Sequence, residues 1–217
     1  MSYAAYNDIA EWYDSYLSEN AIYQEMLLPS LLDLTGDIQG QIVCDLACGQ
    51  GWITRELARC GARVTGVDLS DQLLEIARRY EKQEPLGISY QQGDAQHADL
   101  LAGRTFDGCV CSYSLVDIPD LTATFATMRR LLKTDGWLVF AITHPCFEAP
   151  NAQWVVLDDG KVARAISNYF REGFWKSESG GVRSRVGSQH RVLSTYLNTL
   201  LASGFALERV LEPVATG

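Results

Sequence analysis

Between residues 41 and 143, short apolar runs alternate with stretches of helical periodicity, and this alternation constrains the fold more than any other feature. Segments 42–46, 63–67, 88–91, 106–112 and 137–143 read as strands. Helices are expected over 52–60, 71–82 and 121–132, with Gly61 closing the first and Ser70 capping the second. Apolar strands separated by helices need cover on both faces. The pattern therefore predicts an α/β fold, a three-layer sandwich around a mostly parallel sheet.

The flanks follow other rules. Residues 6–34 are helix-like, with Ile9, Trp12, Tyr13, Tyr16 and Leu17 on one face and a kink or restart at Pro29. They make residues 1–40 an N-terminal helical cap on a core spanning 41–144. Residues 145–190 break the rhythm with Pro, Gly, scattered charge and the aromatics Phe147, Trp154, Tyr169, Phe170, Phe174 and Trp175. They are read as an insertion or lid after the fifth strand, contributing to an acceptor site. Order returns in 191–217, with a helix over 193–201, a stop at Gly204 and a last strand over 206–211.

Composition narrows the function. A formal charge of −9 repels phosphate backbones, so no nucleic-acid partner is expected. No apolar run approaches the roughly 20 residues that span a bilayer, and the first residues lack a signal-peptide pattern. The six cysteines form no Cys-x-x-Cys pair and read as reduced thiols of a cytoplasmic protein. His144 and Cys146, with no second ligand pair, argue against a metal site.

The chemistry starts at Asp45-Leu-Ala-Cys-Gly-Gln-Gly51, which follows a strand and opens a helix. Gly49 and Gly51 allow a tight turn and close approach of a ligand, and the helix start beyond them suits a carboxylate. Tight strand–helix turns use glycine without a ligand too, so the later strands matter. Asp68 ends the second strand, where an acidic side chain can accept both hydroxyls of a ribose; the same position also serves as a helix cap. Asp94, in Gly93-Asp94-Ala95, follows the third strand where an adenine amino group would lie.

These three motifs resemble the cofactor motifs of the class I, Rossmann-like S-adenosylmethionine (SAM)-dependent methyltransferases. Segments 106–115 and 131–140 resemble the family's fourth strand and its segment leading into strand five. Tyr6-Asn-Asp-Ile-Ala-Glu-Trp-Tyr-Asp14 is similar to the N-terminal helix of small-molecule members, including ubiquinone- and menaquinone-type enzymes. The resemblance runs from about residue 6 to 143 and from about 189 to 211. It implies that Ala47, Gly49 and Gly51 meet the methionine portion through their backbones, with Gln50 in the same cofactor loop. Asp45 would orient that loop or meet the ammonium group, Asp68 would bind ribose, and Leu69 would pack on adenine. Asp94 and Ala95 would hold adenine, Ser112 would face the methionine moiety, and Tyr13 would close over the cofactor or belong to the core.

This sequence's departures from the family's pattern are informative. Strand four ends in Ser112-Tyr-Ser-Leu, without the string that marks amino methylation of nucleic acids. The family sheet ends in an antiparallel hairpin, and the six residues after Leu211 leave no room for its second strand; either the chain is truncated or the edge is completed otherwise. The implied activity is transfer of a methyl group from SAM to an oxygen, nitrogen or carbon of a small-molecule acceptor, leaving S-adenosylhomocysteine (SAH). His144 is the first candidate general base and His190 the second, although His-Pro also shapes turns and His190 enters a helix. Tyr113 and Asp117, beyond strand four, and Tyr169 and Trp175 in the insertion are candidate acceptor contacts. A monomer or homodimer is expected. A nicotinamide-dependent oxidoreductase competes with this reading, but Thr54 stands where its third loop glycine belongs. A non-catalytic SAM-binding protein is the other alternative.

Overall fold

The computed structural model of the protein describes residues 4–20 and 23–213. The cap is two helices, α1 (Ala10–Glu19) and α2 (Leu28–Thr35), and a π-helical turn runs directly into α2. Pro29 sits in the first turn of α2, where its missing N–H costs nothing, so the helix restarts there rather than breaking.

The alternating segment follows as β1 (Ile42–Leu46), α3 (Trp52–Arg59), β2 (Arg63–Asp68), α4 (Asp71–Gln83) and β3 (Ser89–Gln92). Beyond it lie β4 (Phe106–Ser112), α5 (Leu121–Leu131) and β5 (Leu132–Ala141). The five strands form one sheet in the order β3-β2-β1-β4-β5, and every pairing is parallel. Strand periodicity explains its two cores. Val43, Val64 and Val110 face Leu31, Ile53 and Leu57. Cys44, Leu46, Cys109 and Cys111 face the opposite way, toward Phe125, Met128 and Tyr196. The α/β three-layer expectation holds.

Caps fix the helix starts. Ser70 Oγ accepts the Leu73 N–H at 3.1 Å, and Asp120 Oδ1 accepts that of Ala123 at 2.9 Å. Strand β5 begins at Leu132, five residues earlier than the periodicity predicts. Leu132 pairs with Phe106, and Lys133 forms an ion pair with Asp107 at 2.5 Å, which holds this polar stretch extended.

The insertion is more ordered than its composition predicts. It contains an antiparallel hairpin of β6 (Gln153–Val156) and β7 (Val162–Ala165). Next come β8 (Gly173–Trp175), α6 (Val182–Val186) and β9 (Ser188–His190), with β8 and β9 antiparallel. His190 thus lies in a strand and is buried, rather than entering the last helix, α7 (Leu193–Ala202). The strand expected over 206–211 does not form. Glu208 and Arg209 interrupt its alternation, so neither face is apolar, and Leu207 and Val210 stand exposed. Among the described residues, no helix is long and apolar enough to cross a membrane.

Candidate cofactor and acceptor site

Strand order reverses at β1, which has β2 on one side and β4 on the other. Loops leaving the carboxyl ends of such strands diverge and open a crevice. A cavity of about 530 Å³ occupies this crevice, within the roughly 300–1,000 Å³ usual for small-molecule sites.

The glycine loop forms its floor. Gly49 and Gly51 adopt φ of +57° and +78°, in the left-handed region that favours glycine. A Cβ on Gly51 would also strike the hydroxyl of Tyr90. Two residues with side chains share the strained conformation at strand ends, Ala47 (φ +58°) after β1 and Tyr113 (φ +56°) after β4. Ser114 Oγ donates to the Ala47 carbonyl at 3.0 Å and so ties the two loops together.

Three carboxylates follow the strand ends. Asp45 is buried and accepts the Thr54 hydroxyl at 2.6 Å. Burial, reinforced by the charge of Asp68, pushes its pKa up to about 7 against that hydrogen bond. Asp68 accepts the Gly49 N–H at 2.7 Å and the Ser70 N–H at 2.8 Å. Burial raises its pKa to about 6, and those amides oppose the shift. Asp94 is buried and accepts the backbone and side-chain N–H groups of Gln96 at 2.9 and 3.0 Å. Ser112 Oγ is buried at the cavity wall with no hydrogen-bond partner. Such an orphaned hydroxyl suits a polar ligand.

The cavity therefore gathers Tyr13, Asp45, Ala47, Gly49, Gln50, Asp68, Leu69, Asp94, Ala95 and Ser112, together with Tyr113 and Asp117. Gly51 lies beneath it as the N-cap of α3. Four candidates stand elsewhere. His144 Nδ1 accepts the Cys146 N–H at 3.2 Å, its Nε2 lies 3.2 Å from Glu212, and it does not line the cavity. His190 Nε2 donates to the Tyr169 carbonyl at 2.7 Å. Tyr169 Oη accepts the Leu193 N–H at 3.1 Å, at the start of α7. Trp175 is half-buried with an unpartnered indole N–H, away from the lining. Among the described residues, no cluster of three or more His, Cys, Asp or Glu is placed to hold a metal ion.

Sequence reading missed several lining residues, including Tyr6, Ser114 and Gln189. Tyr6 carried a signal, since it lies seven residues before Tyr13 and the two rings meet edge to face at 5.0 Å. Its hydroxyl donates to Asp117 Oδ2 at 3.0 Å. Arg183, from α6, forms an ion pair with Asp117 Oδ1. The Arg185 guanidinium lies 4.0 Å from the centre of the Trp12 ring. Asp117 thus joins the loop after β4, the cap and the insertion, contacts that no local sequence pattern announces.

A glycine turn at the switch point, followed by acidic residues at the next two strand ends, defines a doubly wound domain built for a nucleoside-bearing ligand. Comparison with known proteins makes that class specific. Residues 43–136 match a methyltransferase domain family. A solved S-adenosylmethionine-dependent methyltransferase from Mesorhizobium loti is 30% identical and superposes with a TM-score of 0.74, covering 89% of this chain and 84% of that one. The chain belongs to the SAM-dependent methyltransferases. Ubiquinone biosynthesis O-methyltransferases are also similar. That of Actinobacillus pleuropneumoniae serotype 5b (strain L20) is 31% identical over 148 residues, 64% of this chain. That of Coxiella burnetii (strain Dugway 5J108-111) is 35% identical over 112 residues, 52% of this chain. The chain spans 62% and 47% of the lengths of these two relatives. SAM is the cofactor of the family, and these matches favour it over a nicotinamide.

Proposed function

We propose that the protein transfers the methyl group of SAM to a hydroxyl oxygen of a small aromatic acceptor. One observation carries this reading: a single cavity gathers the family's cofactor elements, several aromatic side chains and one more carboxylate. The aromatic residues include Tyr6, Tyr13, Tyr113 and Phe174, and the carboxylate is Asp117, which accepts the Tyr6 hydroxyl at 3.0 Å. The similarity to O-methyltransferases of ubiquinone biosynthesis supports oxygen as the methylated atom.

SAM supplies an electrophilic methyl on a sulfonium, so the protein's task is alignment and exclusion of water. Asp68 would receive the ribose hydroxyls, Asp94 and Ala95 would hold the adenine, and Leu69 would pack on it. Ala47, Gly49 and Gln50 would line the methionine portion with Ser112, whose free hydroxyl supports that placement. Asp45 would meet the ammonium group, while Gly51 keeps the loop clear of Tyr90. Tyr13 would cover the cofactor from the cap.

In this reading residues 1–40 are a cap, 41–144 the cofactor core, 145–190 a lid, and 191–217 the end of the core. The acceptor is a small molecule, the chain works as a monomer or homodimer, and its unpaired cysteines suit the cytoplasm. The test incubates the protein with methyl-labelled SAM and a panel of catechols, phenols and aromatic amines. Label on a phenolic oxygen is expected. Tight SAM binding without transfer across the panel would instead make this a non-catalytic SAM-binding protein.

A further inference from the structure

We propose that Asp117 is the general base that takes the acceptor's proton, with Arg183 and Tyr6 as the residues that position it. This rests on the aromatic-hydroxyl reading above. Four carboxylates among the described residues line the cavity, namely Asp45, Asp68, Asp94 and Asp117. Asp45 is engaged by Thr54 at the end of β1, Asp68 holds two backbone amides, and Asp94 holds both N–H groups of Gln96. All three belong to the strand ends that frame the cofactor. Asp117 stands instead on the loop after β4 and accepts the hydroxyl of Tyr6, an aromatic residue of the lining.

Its geometry suits the role. The Ser114 N-terminal to it is bonded to the glycine loop, and Asp117 N–H donates to the Ser114 carbonyl at 2.8 Å, so the carboxylate is carried on a loop anchored beside the cofactor elements. Arg183, whose side chain is only 12% exposed, neutralises Oδ1 and also donates to the Gly187 carbonyl at 3.3 Å. Tyr6 fixes Oδ2 from the opposite side. Each carboxylate oxygen keeps a second lone pair, so an acceptor hydroxyl in the cavity can still donate to Asp117. Burial raises the carboxyl's pKa above the ordinary aspartate value, which brings it closer to the range useful for proton transfer. Tyr6 cannot substitute, because burial beside Asp117 holds its phenol protonated. His144 is spent on Cys146 and Glu212, outside the cavity.

The step balances without any further reagent. The acceptor O–H proton passes to an Asp117 carboxylate oxygen as an oxygen lone pair forms the new O–CH3 bond. The C–S bond breaks with its electron pair returning to sulfur, which loses its positive charge. The products are methyl ether, SAH and a neutral Asp117 carboxyl, which returns its proton to solvent after release.

The test uses the full chain, D117N and two acceptors, catechol and 4-nitrocatechol, whose absorption moves to longer wavelength on ionisation. With SAH bound and no turnover possible, the wild type should bind 4-nitrocatechol in its ionised form below the pH at which it ionises free in solution. D117N should bind it neutral, with SAH affinity within about twofold of wild type. In turnover at alkaline pH, D117N should lose about 100-fold toward catechol and far less toward 4-nitrocatechol, which arrives already ionised. An ionised 4-nitrocatechol on D117N, or equal losses toward both acceptors in a folded variant, would overturn the assignment. If D117N does not fold, D117E keeps a carboxylate able to pair with Arg183: an ionised ligand on it supports the base, and a neutral one overturns it. A wild type that neither methylates nor ionises either catechol would bring down the aromatic-hydroxyl reading itself, and the base with it.

Discussion

Residues 41–143 bury or half-bury their aromatics, whereas residues 145–190 expose Phe147, Trp154, Phe170 and Phe174. Phe106 and Phe125 have no exposed surface, while Phe170 is 87% exposed and Trp154 69%. Both regions contain strands, but their pairing differs. The central strands are sandwiched by helices on two faces. The β6–β7 hairpin pairs only with itself, and Trp154, Val156 and Val162 remain largely in solvent. The first arrangement makes a buried scaffold; the second leaves apolar side chains in solvent. The family match stops at residue 136, before the insertion begins.

The largest expected effect comes from swapping one side chain in both regions. Phe125 packs against Phe140 and Phe205, and Phe125→Ala should cost about 3–5 kcal/mol of stability in urea denaturation. Phe170→Ala should stay within about 0.5 kcal/mol. A loss at Phe170 comparable to that at Phe125 would dissolve the contrast.

Next in size is the glycine loop. Gly51→Ala forces a left-handed alanine, worth about 1–2 kcal/mol, and adds a clash with Tyr90. Isothermal titration with SAH should show at least tenfold weaker binding. Gly160→Ala, at φ +81° in the open hairpin turn, carries the same backbone strain without the clash. It should leave SAH affinity unchanged.

Acidity sharpens the comparison further. Asp45 and Asp68 have folded-state pKa values of about 7 and about 6, above their unfolded values, so the folded protein binds more protons between about pH 4 and pH 7. Stability without cofactor should therefore fall as pH rises through that window and level off above it. SAM, with ammonium and sulfonium cations, favours the ionised carboxylates, so its affinity should rise over the upper half of the same window. Thermal melts and calorimetry would follow the two opposed trends. Asp159, by contrast, is held low by Lys161 in the exposed hairpin, and that pair should be lost in high salt with little effect on either curve.

The smallest expected effect lies at the seam. Arg185→Ala removes the stacking on Trp12, worth about 0.5–1 kcal/mol. It should quicken proteolysis within 176–186 while leaving the sheet's melting transition in place.

The same contrast explains what was legible in the sequence. Strand periodicity and glycine conformation are local, so 42–112 and the Asp45–Gly51 loop could be read directly. Asp68 and Asp94 were legible because strand ends in a parallel sheet converge. The surroundings of His144 were not legible in this way: it follows an edge strand, β5, and it turns toward Cys146 and Glu212. The Asp117–Arg183–Tyr6 contacts join residues more than 60 positions apart and depend on how the insertion folds back. No spacing rule encodes them. The last strand failed for a local reason that could have been weighed, since Glu208 and Arg209 stand side by side within it.

The placement of β1 also has a consequence for how the chain acquires its shape. β1 lies at the centre of the sheet, yet its second neighbour is β4, and the bond from the Ile42 N–H to Asp107 spans 65 residues. Closing so long a loop precedes any reward from the contacts it makes, which slows folding. During synthesis, β1 and β2 can meet early, but the wall carrying Ser112 and Asp117 docks only after more than half the chain has emerged. The crevice is therefore among the last features to mature, and a nascent chain stalled before β4 would hold the glycine loop without the pocket it serves.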